Sequence, residues 1–310
     1  RMEYLAIWLG LNKIGAITAL INNSLTGAGL AHCINISMAS LTLVDQSTKA
    51  CFQDIESQIE RFQALWVLDL PREDETEHCR SLDAALKGVS TVRPDRELRK
   101  DLTANAVALY IYTSGTTGRS KGAMLSHDNL ASNALALVDY WRFTKDDVLL
   151  HALPIFYTHG LFVATNCVLF SGASMILLPK FDPDQVFKHL PQATCMMGVP
   201  TFYVRLLQDA RLTKEATKHM RLFVSGSAPL LAETHREWRE RTGHAILERY
   251  GMTETNMNTS NPYEGERVAG TVGFPLPGVS ARVVDPETGR GLAADEIGMI
   301  EVKGPNVFKG

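Results

Sequence analysis

Apolar positions at Tyr4, Leu5, Ile7, Trp8, Leu11 and Ile14 repeat at the three- and four-residue spacing of one helical face, and Gly15 ends the run. A short apolar stretch, Ala16–Ile21, predicts a buried strand, and the turn-rich Asn22–Gly29 follows. The pattern continues as a helix over Leu30–Ser37, a strand over Ser40–Val44, an amphipathic helix over Gln53–Phe62 and a strand over Leu65–Leu68. Between Pro71 and Lys100 periodicity gives way to charge, with acids from Glu73 to Glu77 and bases from Arg93 to Lys100. Only Ser81–Leu86 looks helical there, and the segment reads as a surface connection. Ala106–Tyr112 is a strongly apolar strand. A glycine-rich stretch, another strand and the helix Asn129–Tyr140 come next. The alternation runs on through Val148–Ala152, Gly160–Phe170, Ser174–Leu177, Thr194–Gly198 and Leu222–Ser225. Strands alternating with helices predict an α/β fold, with parallel-rich sheets flanked by helices. From Gly270 the texture turns to β, because Val279–Val284 and Gly298–Val302 alternate like strands about a turn at Asp285–Gly291. Three parts are therefore expected: a first α/β subdomain over 1–138, a second over 139–262, and the start of a small β-rich subdomain over 263–310.

Composition narrows the class. At 310 residues and 45% hydrophobic, the chain exceeds one small domain and carries too much apolar surface for disorder. Its formal net charge is −3 and no basic tract stands out, which argues against nucleic acid as the main partner. No apolar run is long enough for a membrane span. The five cysteines are odd in number and form no Cys-x-x-Cys pair, so neither a disulfide framework nor a zinc site is expected, and a reducing cytoplasm fits. Arg1 rather than Met opens the chain, and Gly304–Gly310 stops in mid-pattern, so a piece of a longer protein is expected.

The candidate chemistry lies in two strings. Tyr112-Thr113-Ser114-Gly115-Thr116-Thr117-Gly118-Arg119-Ser120-Lys121-Gly122 follows a buried strand. Its glycines permit a loop whose N–H groups converge on an anion, and Lys121 adds positive charge for phosphates. It is not the common G-x4-G-K-[ST] frame, and on composition alone it could be a flexible turn. The second string is Leu247-Glu248-Arg249-Tyr250-Gly251-Met252-Thr253-Glu254. A hard carboxylate at Glu254 suits Mg²⁺ on phosphates, and a flat ring at Tyr250 suits a purine face. Between them, Ser225-Gly226-Ser227-Ala228-Pro229 has small residues that let a ligand approach the backbone. It could equally start a helix, with Ser227 as cap and Pro229 in the first turn. Ser126–His127 reads as a helix entry rather than a catalytic dyad.

Both strings, in this order, resemble the two signatures of the adenylate-forming superfamily, which includes acyl-CoA synthetases, luciferases and adenylation domains. The resemblance implies ATP, Mg²⁺ and coenzyme A as co-substrates. A small-molecule carboxylic acid would be activated as its acyl-adenylate and passed to the thiol. It implies Thr113, Lys121, Thr253 and Glu254 as catalytic residues, with Glu254 holding the Mg²⁺. Thr113, Ser114, Gly115, Thr116, Thr117, Gly118, Lys121, Ser225, Gly226, Ser227, Ala228, Glu248, Arg249, Tyr250, Gly251, Met252 and Thr253 would line ATP or AMP. No residue need be a covalent nucleophile, since positioning and charge neutralisation suffice.

For the acid, residues 1–112 resemble bacterial fatty-acid-transport-type long-chain acyl-CoA synthetases, through Leu20-Ile21-Asn22 and Leu30-Ala31-His32-Cys33. Residues 113–310 resemble malonyl-CoA synthetases, through Pro154–Thr165, Gly198–Leu207, Arg221–His235 and Gly243–Gly273. That second resemblance implies that Arg267 pairs with the distal carboxylate of a dicarboxylate, for which a planar fork is suited, whereas a long alkyl chain has no use for it. Beside Glu264 and Glu266 it could also be a surface arginine. The acid site would comprise Tyr157, His159, Ser227 and Arg267. Tyr157 departs from the histidine usual in Pro-x-Phe-His-Thr-His-Gly, and a phenol does not readily become cationic. The leading expectation is an ATP-dependent ligase for malonate or a similar short dicarboxylate. The alternatives are a long-chain fatty-acid–CoA ligase, which would meet a membrane peripherally, and a nucleotide-binding fragment without turnover. The superfamily's ribose-binding Asp motif, hinge and C-terminal domain are not in these residues, so weak nucleotide binding and little turnover are expected of this chain alone.

Overall fold

The computed structural model describes residues 1–61, 64–113 and 120–310. The chain divides into two compact units, Arg1–Met124 with Gly310, and Leu125–Lys309. Among the described residues no helix is long and apolar enough to cross a membrane.

The first unit holds two three-stranded sheets. In one, β2 (Leu41–Asp45), β3 (Ala64–Leu68) and β4 (Cys79–Ser81) run parallel, in the order 2-3-4. In the other, the central β5 (Val107–Thr113) is flanked by β1 (Thr18–Leu20) and β6 (Lys121–Ser126). Leu65 and Val67 of β3 bury against Ala31 and Ile34 of the helix Gly27–Ser37 and against Phe52 and Ile55. That cluster explains one departure from expectation. Instead of a helix over Gln53–Phe62 there is a short helix at Lys49–Gln53 and a tight turn at Glu56–Gln58. Its i→i+3 bonds, Gln58 to Ile55 and Ile59 to Glu56, bring Ile59 onto the same core. Phe62 lies outside the described residues. The charged connection is not wholly surface either, for it contributes β4, whose Ser81 is buried and caps the helix Leu82–Leu86.

The second unit is built on one seven-stranded sheet. Its strands are β7 (Val148–His151), β8 (Ser174–Leu177), β9 (Cys195–Gly198), β10 (Leu222–Ser225), β11 (Leu247–Met252), β12 (Asn256–Ser260) and β13 (Phe274–Pro275). The order is 13-12-11-10-9-7-8. Strands β8, β7, β9, β10 and β11 are parallel, and β12 and β13 add antiparallel. The chain leaves β7 to one side for β8 and returns to the other side for β9, so the winding reverses at β7/β9. In open α/β sheets that reversal opens a crevice at the carboxyl ends of the strands. Apolar side chains cover both faces, with Trp141, Val163, Met197 and Leu247 in one cluster and Tyr203, Phe223, Trp238 and Ile246 in the other.

Strand β12 is unusual, since it is buried throughout yet reads Asn-Met-Asn-Thr-Ser. Several of its polar groups find partners in the chain, and Asn256 Oδ1 has none among the described residues. Asn133 exchanges hydrogen bonds with the Met257 backbone, Trp141 donates to Ser260, and Asn306 donates to Asn258 Oδ1. An antiparallel ribbon, β14 (Ser280–Val284) with β15 (Met299–Lys303), matches the β texture expected near the end of the chain.

Candidate active site

Three chain segments converge at the carboxyl edge of the parallel strands. The first follows β7. His151 ends that strand, and after Leu153-Pro154 the chain enters a π-helical turn at His159–Thr165, which continues as the helix Asn166–Ser171. Such turns occur preferentially at functional sites. The second segment is the end of β10, where Ser225 and Gly226 are buried and Ser227 lies in the left-handed region at φ 71. A serine there is uncommon and is tolerated where its surroundings demand it. The third is β11, which carries Arg249.

These segments touch one another. His159 Nδ1 lies 3.2 Å from Ser227 Oγ. The Arg249 guanidinium packs on Gly226 so closely that a Cβ there would come within 2.4 Å of its Cζ. Glycine at 226 is therefore a condition for seating the arginine. Arg249 is buried, and its Nε and Nη2 have no partner among the described residues. Nor do His159 Nε2, Ser225 Oγ and Thr158 Oγ1, all buried. Burial pulls the Arg249 pKa down to about 10. Burial, then the Arg249 charge and then His151, drive His159 well below its ordinary value, so it is neutral. A buried guanidinium beside a neutral imidazole and small hydroxyls offers converging donors, an arrangement suited to an anion with two or more oxygens.

The other expected site residues are distributed as follows. Thr253 and Glu254 sit on the hairpin turn between β11 and β12, half-exposed. The Glu254 carbonyl accepts from Phe308 N–H and the Thr255 carbonyl from Asn306, so the turn's backbone is held from one side. Among the described residues Glu254 has no ion-pair partner, and no cluster of three metal-ligating side chains occurs. A lone accessible carboxylate fits an Mg²⁺ whose other ligands are phosphates and water. Tyr250 is half-exposed beside the register shift at Tyr250/Gly251, and Met252 is exposed. Glu248 is buried. Burial raises its carboxyl, and the Gly270 N–H donating to it works the other way. Tyr157 is exposed and its ring lies against Phe156. Ala228 is exposed.

In the first unit, Thr113 ends β5 and Lys121 begins β6, exposed. Tyr112 donates from its hydroxyl to Cys33 O at 2.8 Å, and His32 Nε2 lies 3.0 Å from Ser120 O. The helix Gly27–Ser37 thus ties both flanks of the glycine-rich string. Ser114, Gly115, Thr116, Thr117 and Gly118 lie outside the described residues.

One sequence reading changes. Ser227 does not cap a helix with Pro229 in its first turn, because the next helix begins at Ala232 with Leu231 before it. Arg267 is not a free fork. Its Nε donates to Pro262 O, Nη1 to Ala245 O and Nη2 to Tyr263 O, and its neighbours Glu264 and Glu266 are not its partners. Ser126 and His127 do form a helix entry, with Ser126 in a capping box with Asn129. Sequence reasoning passed over His151, Thr158 and Asn306. For His151 a signal was present, since it is a histidine at the carboxyl end of a predicted strand.

Residues 1–310 match the family described as AMP-binding enzyme, and the chain belongs to it. The fold is that of the N-terminal domains of its adenylate-forming ligases, and the similar proteins are acid–thiol ligases that use coenzyme A. The chain is 41% identical over 236 residues to the mitochondrial malonate–CoA ligase ACSF3 of Mus musculus, covering 65% of this chain and 40% of that protein. It is 36% identical over 211 residues to the long-chain-fatty-acid–CoA ligase of Bacillus subtilis, covering 66% and 37%. The crystal structure of ATP-bound MatB from Rhodopseudomonas palustris superposes with a TM-score of 0.90 at 55% identity, over 100% of this chain and 59% of MatB. The chain thus spans well under two thirds of these relatives.

Proposed function

We propose that this chain carries the nucleotide- and acid-binding region of an ATP- and Mg²⁺-dependent acid–CoA ligase acting on malonate or a similar short dicarboxylate. The observation that carries the acid class is Arg249, a buried guanidinium with two donor nitrogens unpartnered among the described residues and a neutral His159 beside it. A buried cation is costly until an anion meets it, and a second carboxylate on the substrate supplies one. An alkyl chain offers no such partner. On this reading the distal carboxylate lies on Arg249, His159 and Ser225, while Arg267 holds the turn it belongs to. The malonate–CoA ligase relatives support the same acid class.

In the reaction of such ligases, a carboxylate oxygen attacks the α-phosphorus of ATP, the bond to the bridging oxygen breaks and pyrophosphate leaves. A thiolate sulfur of coenzyme A then attacks the acyl carbon and AMP departs. The assigned roles are positional. Thr113, residues 114–118 and Lys121 take the phosphates, Tyr250 takes the adenine face, Thr253 takes a phosphate oxygen, and Glu254 shares the Mg²⁺, which neutralises phosphate charge when bound. The five free cysteines fit a reducing compartment.

Acid-dependent ATP–pyrophosphate exchange with Mg²⁺ tests the reading. Exchange with malonate and not with a long-chain fatty acid is the expected result. The opposite preference would give the site to the fatty-acid ligase reading, which the Bacillus subtilis relative favours. Nucleotide binding with no exchange for any acid would leave a binding fragment.

A further inference from the structure

His151 lies outside the residues assigned to substrate, yet it is almost completely buried at the edge where they gather. Its two ring nitrogens are distinguished by their neighbours. Leu153 N–H donates to Nδ1 at 3.3 Å, so Nδ1 is the acceptor and Nε2 carries the hydrogen. Nε2–H then points to Gly160 O at 2.8 Å and Thr165 Oγ1 at 3.3 Å. Thr165 Oγ1 in turn donates to the same Gly160 carbonyl at 2.9 Å. That carbonyl therefore receives two side-chain donors, one from the end of β7 and one from the end of the π-helical turn. The turn is tight at this point, because a Cβ on Gly160 would come within 2.1 Å of Pro154 O. The residue before Gly160 is His159, whose Nδ1 meets Ser227 and whose Nε2 faces no protein partner among the described residues.

We infer that His151, as its Nε2–H tautomer, is a positioning residue for the acid site, fixing the Gly160 carbonyl and so aiming His159 at Ser227 and Arg249. The inference rests on reading that pocket as the acid site. His151 touches no substrate on this account; it sets the backbone from which a substrate-facing imidazole projects. A site on a short turn needs such support, since displacement of a donor by about an ångström is enough to spoil binding geometry.

Variants at this position separate the possibilities. Glutamine places an amide N–H at the reach of Nε2, whereas asparagine can accept from Leu153 but falls short of Gly160. Dissociation constants for malonate, in the presence of AMP, and for Mg–ATP would be measured by titration calorimetry for the chain and for His151→Asn and His151→Gln. Long-range ¹H–¹⁵N spectra of the histidine rings would be recorded alongside. Asparagine should weaken malonate about tenfold with ATP within about twofold, and glutamine should restore malonate to within roughly threefold. The wild-type spectrum should show His151 protonated on Nε2. Equal weakening of malonate and ATP, no change in the asparagine variant, or glutamine as poor as asparagine would overturn the inference. If the wild-type chain binds no malonate, the acid reading fails on its own and the spectra decide the positioning claim. His159 signals moved by asparagine and restored by glutamine would uphold it, and unmoved signals would overturn it.

Discussion

Two corners of the second unit place an arginine at opposite ends of the same parallel strands. At the amino edge, Asp147, Thr194 and Arg221 immediately precede β7, β9 and β10. Arg221 donates from Nε and Nη2 to the two carboxylate oxygens of Asp147 at 2.6 and 2.8 Å and from Nη1 to Trp141 O, and Thr194 donates to Asp147. Burial alone would raise the Asp147 carboxyl, but bonds from Arg221, Thr144 and Thr194 overcome it and hold the pKa at about 2. At the carboxyl edge Arg249 is more deeply buried and has no carboxylate partner among the described residues. A saturated ion pair locks strand ends together, whereas an unsaturated one is expensive to keep and is retained where a ligand completes it.

The sharpest way to break this comparison is to remove each charge in turn. Arg221→Met leaves Asp147 buried and unpaired, so the unit should lose about 3–5 kcal/mol in denaturant unfolding. Arg249→Met removes a charge that has no ion-pair partner to strand among the described residues. Its unfolding free energy should stay level or rise, while malonate-dependent exchange falls roughly a hundredfold or more. Equal destabilisation by both substitutions would mean that Arg249 is a structural group, and the contrast between the edges would collapse.

Acid titration reads the same edge through stability. Burial, against the opposing bonds at Gly160 and its own backbone, lowers the His151 pKa from 6.5 to about 4. The folded value lies below the unfolded one, so unfolding takes up a proton between them. Stability is thus full above pH 6.5 and declines as the pH falls toward 4, by about 3 kcal/mol from this residue. His159, His235 and His244, also lowered chiefly by burial, steepen the decline. Unfolding measured across this window should show the slope, and His151→Gln should flatten it. A wild-type stability that is level from pH 6.5 to 4 would mean that these rings are not held neutral.

Gly226→Ala tests whether seating of the Arg249 guanidinium matters. The new Cβ would displace that group, with overpacking of about 1–3 kcal/mol expected. Malonate binding should weaken by about tenfold, and that of ATP by less. If the alanine variant binds malonate normally, Arg249 is not held in place by its contact with residue 226.

Chemistry was more legible in the sequence than geometry. The two strings single out Thr113, Lys121, Thr253 and Glu254 through their resemblance to the family's signatures, and the alternation of apolar runs marks most strands of the parallel sheet. Strand β12 escaped because several of its buried polar groups are met by amide and indole partners distant in the chain, Asn133, Asn306 and Trp141, which no local pattern reveals. The helix Pro183–His189 had a readable start, with Asp182 as cap and proline in its first turn, and was passed over beside stronger signals. Arginines are the hardest to read, since the residue type names what each can bind and only the fold decides which hydrogen bonds are already made.

Arg267→Ala carries the smallest expected effect and separates the two arginines most directly. Its three nitrogens bridge Ala245, just ahead of β11, to Pro262 and Tyr263 beyond β12. Truncation should cost about 1–2 kcal/mol in unfolding, because the half-buried carbonyls it leaves can be met partly by water. Malonate affinity should stay within about threefold, since the pocket donors belong to other segments. A collapse of malonate affinity comparable to that in Arg249→Met, with unfolding unchanged, would reverse the assignment. The 262–267 turn would then have to open on binding and release the guanidinium, and loss of hydrogen-exchange protection at that turn on addition of malonate would be the accompanying sign.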